Sequence, residues 1–166
     1  HKTRFFLLYG KNEGLKKEII DKLSSDNNLN TYYEEKEVLD SKVNFFENLL
    51  NKSLFDERKN IIIRRASDKI LKIIEEIYTK NIDDIIIIVA DNLEKKSKLR
   101  AFFENDKNLI CIPFYPDTEQ TLSKLTNDFF RKKKISISQA NMYQIIRKCN
   151  GDRENLQNEL EKIDQF

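Results

Sequence analysis

The sequence predicts an α/β fold, a five-stranded parallel sheet flanked by helices and followed by a small three-helix lid. Three observations carry that expectation. Compact apolar runs alternate with stretches of helical apolar spacing from Phe5 to Ile112, strand signals cease after Pro116, and helical spacing alone continues to the end of the 166 residues. Strand and helix in alternation imply right-handed crossovers, a sheet covered on both faces, and binding loops gathered at the carboxyl ends of the strands.

The elements follow in order. Phe5-Phe6-Leu7-Leu8-Tyr9 is an apolar run ending at Gly10, as expected of a buried strand entering a tight turn. Leu15, Ile19, Ile20 and Leu23 recur at helical spacing, and Ser24 to Asn30 reads as polar loop. From Thr31 to Val38 aromatic, charged and β-branched residues mix, which predicts a more exposed strand. Val43, Phe46, Leu49 and Leu50 mark a second helix with Ser41 as its N-cap.

Ile61-Ile62-Ile63 predicts a third strand. Ile70, Leu71, Ile73, Ile74 and Ile77 form the face of a helix that begins near Ser67 or Asp68. Ile85 to Ala90 carries five β-branched residues in succession, the strongest strand signal in the chain. Leu99, Phe102 and Phe103 give a helix, and Leu109 to Ile112 a fifth strand stopped by Pro113. Leu122, Leu125 and Phe129, then Met142, Ile145 and Ile146, then Leu156, Leu160 and Ile163 mark three closing helices, with Asp152 capping the last. The expected division is an α/β domain over 1–114 and a helical domain over 115–166.

Composition excludes several classes. No apolar run approaches the ~18 residues that cross a bilayer, and the regular recurrence of Ile, Leu and Phe argues against disorder. Thirty basic against 28 acidic residues leave a net charge of only +2, too little for bulk electrostatic attraction to nucleic acid. Three glycines and two prolines leave no room for long flexible linkers. Cys111 and Cys149 sit in apolar stretches without metal-ligand spacing and read as buried free thiols of a reducing compartment. No signal peptide is visible, and His1 without a preceding Met reads as a tag remnant on a fragment. Because His1 is the sole histidine, no Ser-His or Cys-His catalytic set can be assembled.

The turn Gly10-Lys11-Asn12-Glu13-Gly14-Leu15-Lys16-Lys17 stands where a phosphate-binding loop belongs, between a strand and a helix. The glycines are one residue too close for G-x-x-x-x-G-K-[ST]. Lys17 replaces the hydroxyl that holds magnesium, and Glu13 puts a negative charge inside the cradle. The turn reads as a vestigial loop kept for its geometry, with a working nucleotide site as the weaker alternative. At the end of the strand Ile85 to Ala90, Asp91 is followed by Asn92 where a second acid would activate water, and an amide is no general base at neutral pH. Asp91 reads as a helix N-cap or a loop acid. The adjacent pairs Glu34-Glu35 and Glu75-Glu76 point apart and read as solvated faces.

Two segments carry binding readings. Arg131-Lys132-Lys133-Lys134 is the one dense basic block. It is either a helix end, where cations favour the dipole, or a weak, salt-dependent contact to DNA phosphate. Leu54 and Phe55 lie between a helix and a strand with Lys52 and Asp56-Glu57 around them. They fold back onto the core or form an exposed plug for a partner's pocket, each worth ~1.5–3 kcal/mol on full desolvation.

The run Phe6 to Gly10, the tripeptide Ser53-Leu54-Phe55, the strand Ile85 to Val89 and the closing Gly151-Asp152-Arg153 with Leu156, Asn158, Glu159 and Leu160 occur in an order that resembles the delta subunits of bacterial DNA polymerase III, clamp-loader proteins of the AAA+ class. The resemblance covers essentially the whole chain. It implies an AAA+-like first domain and a helical second domain, without the third, collar domain that joins the clamp-loader pentamer. It further implies a cytoplasmic DNA-replication protein with no membrane segment, no nucleotide cofactor and no catalytic residue, the nucleotidyltransferase activity belonging to the polymerase complex. The implied partners are the ring-shaped beta sliding clamp, the other clamp-loader subunits and, indirectly, primer-template DNA. Leu54 and Phe55 match the family's clamp-gripping pair, presented by the helix from about Val43 to Leu50. Arg153 falls near the nucleotide-sensing arginine of active relatives and, without a working loop, reads as structural. A divergent nucleotide-binding ATPase is the competing expectation.

Overall fold

The computed structural model describes residues 4–24, 29–51, 59–80 and 82–165. Five strands, β1 (Phe5–Gly10), β2 (Leu29–Glu34), β3 (Lys59–Ala66), β4 (Ile85–Ala90) and β5 (Leu109–Phe114), form one sheet in the order β2-β3-β4-β1-β5. The helices are α1 (Glu13–Leu23), α2 (Glu35–Asp40), α3 (Lys42–Leu50), α4 (Leu71–Tyr78, entered through a short 3-10 turn at Asp68–Ile70), α5 (Lys98–Asn105), α6 (Glu119–Lys133), α7 (Gln139–Lys148) and α8 (Arg153–Asp164). Among the described residues no helix is long and apolar enough to cross a membrane.

The chain divides into two compact units. One comprises 1–10 and 19–113, the other 11–18 and 114–166. In the first, parallel pairing sets Leu7 opposite Ile88 and Ile88 opposite Ile63, with Tyr33 beside Ile63. Leu7, Ile63 and Ile88 are fully buried in a core completed by Phe45 and Leu49 of α3, Ile73, Ile74 and Ile77 of α4, and Leu99 and Phe103 of α5. Leu8, Ile62 and Ile87, which alternate with them, are equally buried, so both faces of the sheet are covered. The second unit has its own core, in which Leu122 and Phe130 of α6 meet Met142 and Ile146 of α7 and Leu156 and Leu160 of α8.

Several expectations change. The strand expected over Thr31 to Val38 ends at Glu34, and Glu35 to Asp40 is helix. Glu37 accepts the backbone N–H of Glu34 at 2.8 Å, an N-terminal cap that stops the strand, and Val38 is then buried from the helix. Helix α3 forms where expected, but Val43 and Leu50 are 70% and 46% exposed, while Phe45 and Leu49 are buried. Pro113 lies inside β5 and does not end it. The strand is at the sheet edge and Pro113 is exposed, where its missing N–H breaks no interior ladder.

Ser97, and not Asp91, caps α5, by accepting the Arg100 N–H at 3.2 Å, so Asp91 is a loop acid. The acid pairs are more engaged than solvated faces. Glu34 pairs with Arg64 and Arg65, Glu35 accepts the Ser67 N–H at 2.7 Å, and Glu76 pairs with Lys42. Cys149 is a buried free thiol as expected, whereas Cys111 is free but only partly buried.

Replacing Ile88, at 0% exposure, with Ala should cost about 2–5 kcal/mol in urea unfolding, through lost burial and the cavity left behind. Val43→Ala, on the exposed side of α3, should shift the same midpoint by no more than about 0.5 kcal/mol. Comparable losses in the two variants would refute the core assignment.

Candidate functional site

The turn after β1 is built from its backbone outward. Gly10 has φ 119°, a conformation open to glycine and costly for other residues, and its N–H donates to the Asp91 carbonyl at 3.1 Å. Asn12 then caps α1 by accepting the Leu15 N–H at 3.1 Å. Gly14 serves packing: a Cβ there would meet the Glu154 backbone nitrogen at 3.1 Å and Arg153 Cβ at 3.2 Å. The loop therefore holds its close turn and helix entry, the features that place phosphate-binding backbone, while its side chains do something else.

Lys16, which occupies the lysine position of a phosphate loop, is 2% exposed and paired with Glu13 at 2.5 Å. Arg153, the first residue of α8, grips Asp117 with both arms. Its Nε donates to Asp117 Oδ2 at 2.8 Å and its Nη2 to Oδ1 at 2.5 Å, and Nη1 reaches Glu18 at 3.4 Å. Asn12 Nδ2 donates to Asp117 at 2.7 Å and to the Tyr115 carbonyl at 3.0 Å, and the Thr121 hydroxyl donates to Asp117 at 2.9 Å. Gln157 also donates to Glu18.

The Arg153 and Asp117 side chains are only 13% and 4% exposed. Arg153, Asn12 and Thr121 together hold the Asp117 carboxyl below the usual aspartate range, against the opposing effect of burial. The guanidinium is raised in turn, first by Asp117. A cavity of about 270 Å³ opens beside this network, lined by Lys11, Asn12, Glu13, Asp117, Asp152 and Arg153 among others. Asp152 caps α8 through the Asn155 N–H at 3.0 Å, as its place in the sequence predicts.

Arg153 thus ties the start of α8 to Asp117 and Glu18. Asp117 and Asn12, which give it that role, carry no motif. The nearest signal is the turn Pro116-Asp117-Thr118, and nothing in it points to an arginine far along the chain. Burial pushes the Cys111 thiol up to about 11 and raises that of Cys149, so neither is poised as a thiolate. Among the described residues no cluster of His, Cys, Asp and Glu is arranged to hold a metal.

Leu54 and Phe55 lie outside the described residues. The helix that precedes them does not. Val43, Phe46 and Leu50 of α3 line an open depression of about 430 Å³ with Lys42, Glu47 and Glu76. Lys42 pairs with Glu76 at 2.7 Å and stands 5.5 Å from the centre of the Phe46 ring. The basic block closes α6. Arg131, Lys132 and Lys133 are in its last turn, and Lys134, at φ 58°, is its C-cap. All four are exposed, with Arg131 paired to Asp128 at 2.8 Å and Lys133 paired to Asp164.

No family model matches the sequence, and no curated protein matches it. Among solved structures the chain is similar to the DNA clamp loader delta protein of Bacillus subtilis, with a TM-score of 0.61 at 15% identity over 96% of this chain. The match covers 52% of that structure, so this chain spans about half its length. At that identity the likeness is one of fold: a five-stranded parallel sheet flanked by helices.

Arg153→Ala leaves Asp117 buried without its cation and should destabilise the unit by about 3–5 kcal/mol in denaturant unfolding. The pH dependence has a definite sign. Asp117's folded pKa lies below its unfolded value, so its contribution is full above the ordinary aspartate range and is lost as pH falls through the folded value. Melting temperature in Asp117→Asn should therefore decline less steeply than in the parent between about pH 5 and about pH 3. Parallel curves would refute the charged pairing.

Proposed function

We propose that this chain is the clamp-gripping portion of a clamp-loader delta subunit. It binds the ring-shaped beta sliding clamp through Leu54 and Phe55 and helps open it for loading onto primed DNA, without hydrolysing ATP. The observation that carries this reading is the likeness of fold over 96% of the chain to the Bacillus subtilis clamp loader delta protein. Two features support it. The phosphate loop has its lysine tied to Glu13, and α3, which leads to Leu54 and Phe55, exposes Val43 and Leu50.

In this reading 1–114 form the first domain and 115–166 the second, and the other clamp-loader subunits are met through a collar outside these residues. Primer-template DNA is contacted indirectly, with Arg131 to Lys134 adding at most a weak, salt-sensitive touch on phosphate. Ring opening then follows from differential binding. The tip opens the clamp only as far as it binds the strained interface better than the closed one. Leu54 and Phe55 anchor, and the sheet of the first unit serves as the lever.

A second reading is a divergent nucleotide-binding ATPase, and the cavity lined by Lys11, Asn12, Glu13 and Gly14 is the observation that favours it. A nucleotide bound tightly to the folded chain raises its melting temperature, so Mg-ATP separates the two: no shift is expected under the clamp reading. Leu54→Ala with Phe55→Ala should weaken binding to the beta clamp in calorimetry by at least ~2 kcal/mol, with unchanged melting of the free chain. Undiminished affinity would end the proposal.

A further inference from the structure

We propose that Asp117 and Glu13 are resident counter-anions. They stand, from within the chain, where the charge of a polyphosphate would stand in a working loop, so the cavity beside α1 excludes such ligands by charge and not by shape. The proposal concerns the cavity alone and holds or fails independently of any partner at Leu54 and Phe55.

The shape of a phosphate site persists. Gly10 makes its turn, α1 begins at Asn12 with its partial positive end, and about 270 Å³ of space adjoins that end. What has changed is the disposition of charge. The side chains lining the cavity bring two cations, Lys11 and Arg153, against three carboxylates, Glu13, Asp117 and Asp152.

The guanidinium of Arg153 has no free arm. Nε and Nη2 are spent on Asp117, and Nη1 faces Glu18. Asp117 in turn is held by Asn12 and Thr121 as well, so it cannot swing away without breaking three side-chain partnerships. Glu13 sits at the first position of α1, the place a phosphate favours, and its carboxylate is tied to Lys16. A triphosphate entering this cavity would meet the Asp117 carboxylate already seated on the arginine that would otherwise receive it, with Glu13 and Asp152 adding like charge to the lining.

The substitutions that test this are near-isosteric. Glu13→Gln and Asp117→Asn keep the size of each side chain while removing two negative charges from the lining, and at position 117 one of the two oxygen acceptors becomes an amide donor. Isothermal titration of the whole chain with inorganic tripolyphosphate, at matched ionic strength, should show no saturable binding to the parent. The double variant should bind saturably and at least about tenfold more tightly than any binding the parent shows, and adding Arg153→Ala should abolish the gain.

Saturable binding by the parent comparable to that of the double variant would overturn the proposal, as would a cooperatively folded double variant that binds no better than the parent. Should the double variant fail to fold, Glu13→Gln alone leaves the Arg153–Asp117 pair in place. It should still bind tripolyphosphate at least about threefold better than the parent, and no gain there would equally overturn the assignment.

Discussion

A parallel sheet has no face it can leave to water, and that constraint organises the first unit. The row of Leu7, Ile88 and Ile63 on one face, and Leu8, Ile87 and Ile62 on the other, are all fully buried, so helices must pack on both sides of a layer that is apolar throughout. Burial on this scale fixes the register, because a slip of one residue would exchange the two faces and misplace every packing partner. It also confines chemistry to the rim, where the strands end at Gly10, Ala66 and Ala90 and polar loops begin.

How much of this was legible in the sequence depends on the kind of signal each element leaves. Continuous β-branched runs such as Ile85 to Val89 announce buried strands, and the closing helices announce themselves by spacing, because in both a single periodic constraint decides the structure. The segment Thr31 to Val38 did not, since its mixture of aromatic and charged residues suits a strand as well as a helix. Glu37, reaching back to the Glu34 N–H, settled the choice locally. The phase of α3 was misplaced for a related reason. Val43 and Phe45 are both apolar, and only tertiary contact with Tyr33, at 5.1 Å between ring centroids, selects the buried one.

The site was legible in part. The departure of the Gly10 turn from the phosphate-loop motif can be read from its glycine spacing and from Glu13, because those are properties of neighbouring residues. The pairing of Arg153 with Asp117 cannot be, because it depends on α6 and α8 bringing together residues that share no motif. A buried bidentate pair of this kind adds less to net stability than its short distances suggest, since both ions give up hydration to form it. Its stronger effect is on geometry. With Asn12 held to Asp117 and to the Tyr115 carbonyl, the start of α1 is fixed against the segment that leads into α6.

Pro113 has a consequence of another kind. The outer strand of an open sheet is a template on which a foreign chain can lay down hydrogen bonds, and exposed edges of this sort invite aggregation. Along β5, the ladder that an incoming strand would seek lacks a donor at Pro113, which is exposed at the rim of the sheet. On that flank the molecule cannot be lengthened by an uninterrupted added strand, so recognition there must be read from side chains and loops in preference to backbone.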